Sequence, residues 1–132
     1  MRRIDRWLHD WAETVIEDAN KSNLSGINTV EKLLKDPGIA TDISQHKVLW
    51  WPKNRRVARI SKAAHQLCST EIVILVIHYG IVLNDDQSRL TKKDFAKVTG
   101  ISVSRFHDIK RVARAKISTI LDGYDKREKK DW

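Results

Sequence analysis

The sequence contains very little cysteine and proline: among its 132 residues there are two prolines and one cysteine, Cys68. A single thiol can form neither an internal disulfide nor a cluster of thiolate metal ligands. The sequence therefore favours a reducing compartment, and we expect a cytoplasmic protein. Cys68 itself is interpreted as a small core residue.

Long apolar runs are also absent. The longest covers residues 72–77, far short of the ~20 residues that a membrane-spanning helix requires. Arg2 and Arg3 resemble the start of a signal peptide, but charged residues follow where an apolar segment would be needed. We expect no secretory signal and no membrane partner.

Motifs of catalytic sites are missing as well. No glycine-rich phosphate loop, His-Glu-x-x-His motif, cysteine pair or nucleophile elbow occurs, and the histidines lack the spacing of metal ligands. The sequence predicts no enzyme, no cofactor and no metal site. His78, within an apolar segment, is interpreted as a core histidine with one hydrogen bond.

Positive charge is abundant and lies in the C-terminal part of the chain. Residues 1–50 carry 7 Lys+Arg and 8 Asp+Glu, a net charge of −1, whereas residues 51–132 carry 18 and 9, a net charge of +9. A patch of this sign would displace counterions from phosphates, which favours nucleic acid as the partner class. A solubilising surface is the alternative.

Hydrophobic periodicity predicts a helix at the start of the chain. Apolar side chains recur at intervals of three and four between Ile4 and Val15. This spacing indicates a helix over about residues 3–19, with Trp7 and Trp11 on its buried face.

A second short helix and a connector are predicted next. Asn28 and Glu31 have the spacing of a capping box, so the helix should begin directly after Asn28 and stop at the following Asp-Pro-Gly sequence. Residues 39–52 show no clear period and are interpreted as a connector. Its Trp50 and Trp51 are expected to pack on the core, and stacking on nucleobases is the alternative.

Two helices are predicted in the middle of the chain. A basic amphipathic helix begins at about Asn54 and extends towards Leu67. The β-branched residues 72–77 favour a strand, but Ser69 before them and Gly80 after them resemble helix caps. We predict a buried helix, because an isolated strand would have no partner to pair with.

A helix-turn-helix is predicted to begin at Thr91. Thr91 and Asp94 form a capping box that opens a short helix. The crossing of two such helices needs a small residue on the first, a turn residue able to adopt positive φ four positions later, and an apolar residue directly after it. Ala96, Gly100 and Ile101 meet these requirements in turn.

The second helix of this motif is expected to be the longer one. It presents Phe106 and Ile109 to the first helix, continues to about Leu121 and stops at Gly123. The charged tail, residues 125–132, is predicted to be frayed.

The outward side chains of the second helix, with the cations around them, are the candidate contacts to double-stranded DNA. Arginine can donate paired hydrogen bonds to guanine, lysine can neutralise phosphates, and Val103 can touch a thymine methyl group. We expect Arg105 and Arg111 to contribute most. The alternative is a solvated helical hairpin that serves as a protein-interaction module. The predicted DNA-binding set is Lys92, Lys93, Ser102, Val103, Ser104, Arg105, His107, Asp108, Lys110, Arg111 and Arg114.

Taken together, the patterns predict an all-α fold with a C-terminal helix-turn-helix. We divide the chain into an N-terminal helical segment and connector over residues 1–53, the helix-turn-helix region over residues 54–124, and the charged tail over residues 125–132. The length of the chain favours one compact domain.

The chain resembles the phage antitermination protein Q family, in the short form that lacks a zinc-binding cysteine cluster. The resemblance spans most of the chain and lies in Arg-Trp-Leu-His-Asp-Trp-Ala at residues 6–12, Val-Ala-Arg-Ile at residues 57–60 with Leu67, the apolar segment ending at His78-Tyr79, and the helix-turn-helix. It implies a bacteriophage late-gene transcription antiterminator. Such a protein binds a promoter-proximal DNA element, engages host RNA polymerase under sigma-factor influence, and lets the polymerase read through terminators.

This resemblance also implies roles for two surfaces. The helix from Val103 would contact DNA, and the N-terminal tryptophan face with the connector would meet polymerase or sigma factor. Residues 72–114 resemble region four of sigma factors too, so a sigma-like phage regulator without antitermination activity is the alternative. The DNA sequence recognised and the oligomeric state, including a homo-oligomer, are left open.

Overall fold

A computed structural model describes residues 3–20, 27–36, 38–41, 52–80 and 89–130, which are helical apart from short connections. The helices are α1 (Arg3–Asn20), α2 (Ile27–Lys35), α3 (Gly38–Thr41), α4 (Pro52–Ala64), α5 (Ser69–Tyr79), α6 (Lys92–Thr99) and α7 (Val103–Lys130). The predicted all-α fold is confirmed. Trp50 and Trp51 lie outside the described residues.

The centre of the fold is α5. All side chains of residues 72–77 are buried, as expected for a helix that is apolar on every side. Helices α1, α2 and α7 pack against it. The prediction of a helix at this segment is confirmed. The neighbouring helices cover it from several directions, which explains why it is buried on every side.

The start of α5 corrects two predictions. Ser69, expected to cap the helix, is its first residue, and Cys68 is the N-cap. The backbone N–H of Cys68 donates a hydrogen bond to Glu71 Oε1 at 3.2 Å. Cys68 is exposed and is not a core residue, because the N-cap position lies at the surface end of the helix.

Helix α1 places both of its tryptophans in the core. Trp7 is 8% exposed and Trp11 is fully buried. Trp11 Nε1 donates a hydrogen bond to the carbonyl oxygen of Ala40 at 3.1 Å, which joins α1 to α3. Two expectations are therefore wrong. Residues 39–41 are helical and not part of a connector. The tryptophan face of α1 is buried in the core, so it is not an open surface for polymerase.

Three helix ends also differ from the predictions. Helix α2 begins at Ile27, so Asn28 lies within it and cannot be its N-cap; Ile27 continues the three-residue spacing to Val30. Helix α4 begins at Pro52, since proline fits the first turn, where its missing N–H needs no partner. Helix α7 passes through Gly123 and ends at Lys130.

The last two helices lie at one side of this core. Helix α7 packs against α5 and α4, and α6 packs against α7. The fold therefore supports the first turns of α7 from one side and leaves the opposite side to solvent.

Candidate nucleic-acid interface

The short helix α6 begins at the predicted capping box. The Thr91 hydroxyl accepts a hydrogen bond from the backbone N–H of Asp94 at 3.2 Å, and the backbone N–H of Thr91 donates to Asp94 Oδ2 at 2.9 Å. Each residue thus satisfies a backbone donor of the other, as the sequence predicted.

The turn between α6 and α7 has the predicted glycine conformation. Gly100 has φ 76° and ψ 4°, in the left-handed region, and its N–H donates to the carbonyl oxygen of Ala96 at 2.8 Å. The chain then reverses into α7, whose first turn is closed by Ser102. The Ser102 hydroxyl accepts a hydrogen bond from the backbone N–H of Arg105 at 3.1 Å, so this predicted DNA contact also caps the helix.

An aromatic pair joins the two helices. Phe95 on α6 and Phe106 on α7 are fully buried, and their rings meet edge to face with centroids 5.4 Å apart. Ile101 and Ile109 are half-buried beside the core. Because the apolar side of α7 is fixed in this way, the direction of its opposite side is fixed as well.

The predicted outward residues of α7 are exposed at the surface. This exposed row consists of Val103, Ser104, Arg105, His107, Asp108 and Arg111. Arg111 Nη2 lies 3.0 Å from Asp108 Oδ1, in a pair whose side chains are 78% and 57% exposed. An ion pair so open to water is worth only about 0–1 kcal/mol, so a ligand can replace it at little cost.

The predicted flanking cations differ in their surroundings. Lys93 is exposed, and Lys92 and Lys110 are half-buried. Arg114 is held by Asp5 on α1, with Nε 2.9 Å from Oδ1 and Nη2 3.2 Å from Oδ2. The hydrogen bond to Asp5 raises the pKa of Arg114. Arg114 therefore joins two helices, and its guanidinium is already occupied.

Two residues that the sequence did not assign to the site, His78 and Arg89, lie next to it. His78 is half-buried at the edge of a cavity that also contacts Arg89 and Lys92. Burial, together with the charges of Lys110 and Lys92, lowers the pKa of His78 to about 4. The expected core position is thus corrected, because His78 is only half-buried. Its ring meets that of Tyr79 at a right angle, with centroids 4.8 Å apart.

No family model matches the chain, and neither the curated proteins nor the solved structures contain a significant match to it. In the described part of the chain, no helix combines the length and apolar character needed to cross a membrane.

Proposed function

We infer that this protein binds duplex DNA and regulates transcription, with the first turns of α7 in the major groove. The observation that carries this inference is the exposed row of α7, which holds Arg105 and Arg111 and follows directly on the left-handed turn at Gly100. The major groove of B-DNA is wide enough for an α-helix. In helix-turn-helix proteins, the N-terminal residues of the second helix contact the base edges.

Three side chains of the row, and Lys93 on α6, have roles suited to their chemistry. Arg105 is exposed and can donate two hydrogen bonds to the O6 and N7 atoms of guanine. Arg111 can leave its surface pair with Asp108 and donate hydrogen bonds to a guanine or to a phosphate instead. Val103, 37% exposed, offers an apolar contact for the methyl group of thymine. Lys93 can neutralise a backbone phosphate. Arg114, bound to Asp5, is not included among the base contacts.

The resemblance to antitermination proteins supports one biological role. Under this proposal, the protein binds a promoter-proximal element and then modifies RNA polymerase for terminator readthrough. The sigma-like alternative predicts activation of the same promoter without readthrough. Transcription with purified polymerase, on a template with a terminator behind the bound site, separates the two: longer transcripts favour antitermination, and more transcripts of unchanged length favour activation.

DNA binding is tested by selecting bound sequences from a random duplex library. The selected duplex and a shuffled duplex are then titrated by fluorescence anisotropy. We expect Arg105→Ala and Arg111→Ala each to weaken binding to the selected duplex about 5- to 100-fold, the loss of one bidentate base contact. Lys35→Ala is the charge-matched control, because Lys35 is exposed on α2, a helix that packs against α5, α1 and α3. Equal affinity for all duplexes in wild type and variants would contradict the proposal.

One observation favours a second function, as a protein-interaction module. Val112 is 50% exposed, and with Ile101 and Ile109 it lines a cavity of about 520 Å³ beside Cys68. An apolar side chain so placed suits a protein partner. Val112→Ser should then weaken binding of that partner while leaving DNA affinity unchanged, whereas Lys93→Ala, which lies outside this cavity, should weaken DNA binding and spare the partner.

A further inference from the structure

A cluster of positive groups lies where α5, α6 and α7 meet. We name Arg89, Lys92, His107 and Lys110 the rim cluster. All four are close enough to His78 for their charges to lower its pKa. The adjoining cavity, about 620 Å³, has apolar walls formed by Ile77, Leu90, Val103 and Phe106. Arg89, Lys92 and Lys93 also line this cavity, so positive groups border its apolar walls.

Among the residues that the structure describes, little negative charge offsets this cluster. Within the described ranges, Arg89, Lys92 and Lys110 form no ion pair with a carboxylate. Among the described residues, the carboxylates whose charges act on the cluster are Asp108 and Asp5, which pair with Arg111 and Arg114 respectively. At the N-terminus of α6, the backbone donors of Thr91 and Asp94 are already occupied by each other's side chains.

Lys92 and His107 are in direct contact within the cluster. Lys92 Nζ lies 3.3 Å from His107 Nε2. An ammonium group has donors and no acceptor, so the imidazole nitrogen must accept, which requires a neutral His107. When the imidazole is protonated, both groups become donors. A bridging anion can then accept a hydrogen bond from each.

Like charges make the cluster unfavourable without an anion. The charge of Lys92, with smaller contributions from burial and Lys110, lowers the pKa of His107, although Asp108 acts in the opposite direction. Burial and the charges of Lys92 and Arg114 lower the pKa of Lys110, while Asp5 raises it. An anion at the rim would relieve this repulsion for every member at once.

We propose that the rim cluster binds a phosphate group of the DNA backbone and that His107 takes up a proton when the phosphate is bound. That the phosphate comes from DNA rests on the proposed function. The existence of an oxyanion site at the rim cluster does not depend on that function. The distance between Lys92 and His107 suits one oxyanion bridging both groups, and Arg89 and Lys110 add charge around it. Phosphate contacts of this kind set the register of a protein on the duplex.

The sign of the pH dependence follows from the charges. A negative phosphate beside the imidazole favours the protonated form, so it raises the pKa of His107 towards or above its ordinary value of 6.5. By linkage, phosphate binding takes up protons and becomes tighter as the pH falls from about 8 to 6. The groups that face His107 are Lys92 from α6, Lys110 and Asp108 from α7, and His78 from α5.

The full-length protein provides the test. The titration of His107 is followed by NMR from about pH 5 to 8, the range in which histidine changes charge, in chloride, in sulfate at the same ionic strength, and with the selected DNA duplex. Sulfate serves as a free oxyanion whose charge is constant over this range. We expect the midpoint of His107 to move up in sulfate and in DNA. Lys92→Met should abolish the movement in sulfate, and Lys35→Met, which removes an equal charge from α2, should retain it.

Binding of the duplex is measured in parallel at about pH 6 and pH 8, on either side of the imidazole titration. Wild type should bind several-fold tighter at the lower pH, up to about tenfold per pH unit if one proton is taken up, and His107→Gln should lose most of this difference. If sulfate moves the His107 midpoint but no duplex binds, the oxyanion site stands and DNA binding fails. If the duplex binds with the same pH profile in both proteins and sulfate moves nothing, the phosphate site is overturned and DNA binding stands.

Discussion

Arg114 on α7 and Asp5 on α1 form a two-pronged ion pair across 109 positions of sequence, at 2.9 and 3.2 Å. The hydroxyl of Tyr79 on α5 donates to the same carboxylate at 2.7 Å. Burial and this hydrogen bond raise the pKa of Tyr79 to about 12. One carboxylate thus ties together three helices behind the exposed row of α7.

Removing that carboxylate should loosen the fold. Asp5→Ala leaves the Arg114 guanidinium and the Tyr79 hydroxyl without their acceptor in a partly buried site, so we expect a loss of about 1–3 kcal/mol in the free energy of unfolding. Urea unfolding measures this. Asp108→Ala is the control, because its exposed pair with Arg111 should contribute about 0–1 kcal/mol. Equal losses in the two variants would show that the Asp5 network is not structural.

Local features of α6, α7 and the turn between them can be predicted from sequence because their causes lie within a few residues. The capping box of Thr91 and Asp94 needs one helical turn, and Gly100 needs only its own backbone conformation. The burial of Phe95 and Phe106 follows from helical spacing around that turn. The helix at residues 72–77 is harder to predict, because its apolar run has no period and only its context favours a helix over a strand.

Contacts between distant parts of the chain cannot be predicted in this way. The sequence places Arg114 one helical turn from Lys110, which favours a DNA contact, and nothing near it in sequence indicates Asp5 as its partner. The apolar neighbours of His78 favour a core position, although the end of α5 opens towards the cations of α6 and α7. Both outcomes depend on how the helices pack.

The stability cost of a substitution at Gly100 should depend only on how readily the new residue adopts the left-handed backbone conformation. A Cβ there would meet no atom within 4 Å, so steric overlap with neighbours is not a cost. At φ 76°, a β-branched residue is strained, and we expect Gly100→Val to destabilise the protein by about 1–3 kcal/mol. Gly100→Asn should cost clearly less, since asparagine adopts the left-handed region more readily. Thermal unfolding compares the two, and equal stability would argue against the left-handed turn.

Gly123 gives the opposite prediction. It lies within α7 and is exposed, and a Cβ added to it would meet no atom within 4 Å. Gly123→Ala should therefore stabilise the protein by up to about 1 kcal/mol, the difference in helix propensity. If the helix instead ended at a left-handed Gly123, as its sequence context predicts, alanine would be strained there and the substitution would destabilise. The sign of the change in melting temperature decides between the two.

Glu71 should make stability depend on pH in the acid range. Burial acts to raise its pKa, but the hydrogen bonds from the Cys68 backbone and from Lys116 outweigh burial, and the pKa is lowered below 4.5. A carboxyl group whose folded pKa is depressed stabilises the protein fully above its unfolded pKa and loses that contribution as the pH falls through the folded value. Glu71→Gln should thus be less stable than wild type at about pH 7, and the difference should shrink as the pH falls below 4.5. A constant difference between neutral and strongly acid pH would contradict this account.

Salt dependence should separate base contacts from phosphate contacts on the two sides of the Gly100 turn. Lys93, exposed at the start of α6, is expected to neutralise a phosphate, so Lys93→Ala should weaken binding to all duplexes alike and reduce the slope of log affinity against log salt by about 1. Arg105→Ala should instead reduce the preference for the selected duplex and change the slope less. Anisotropy titrations from low to moderate salt measure both quantities. If the two variants had the same salt slope and the same preference for the selected duplex, α6 would not supply phosphate contacts and α7 base contacts. The placement of α7 in the groove would then have to be abandoned.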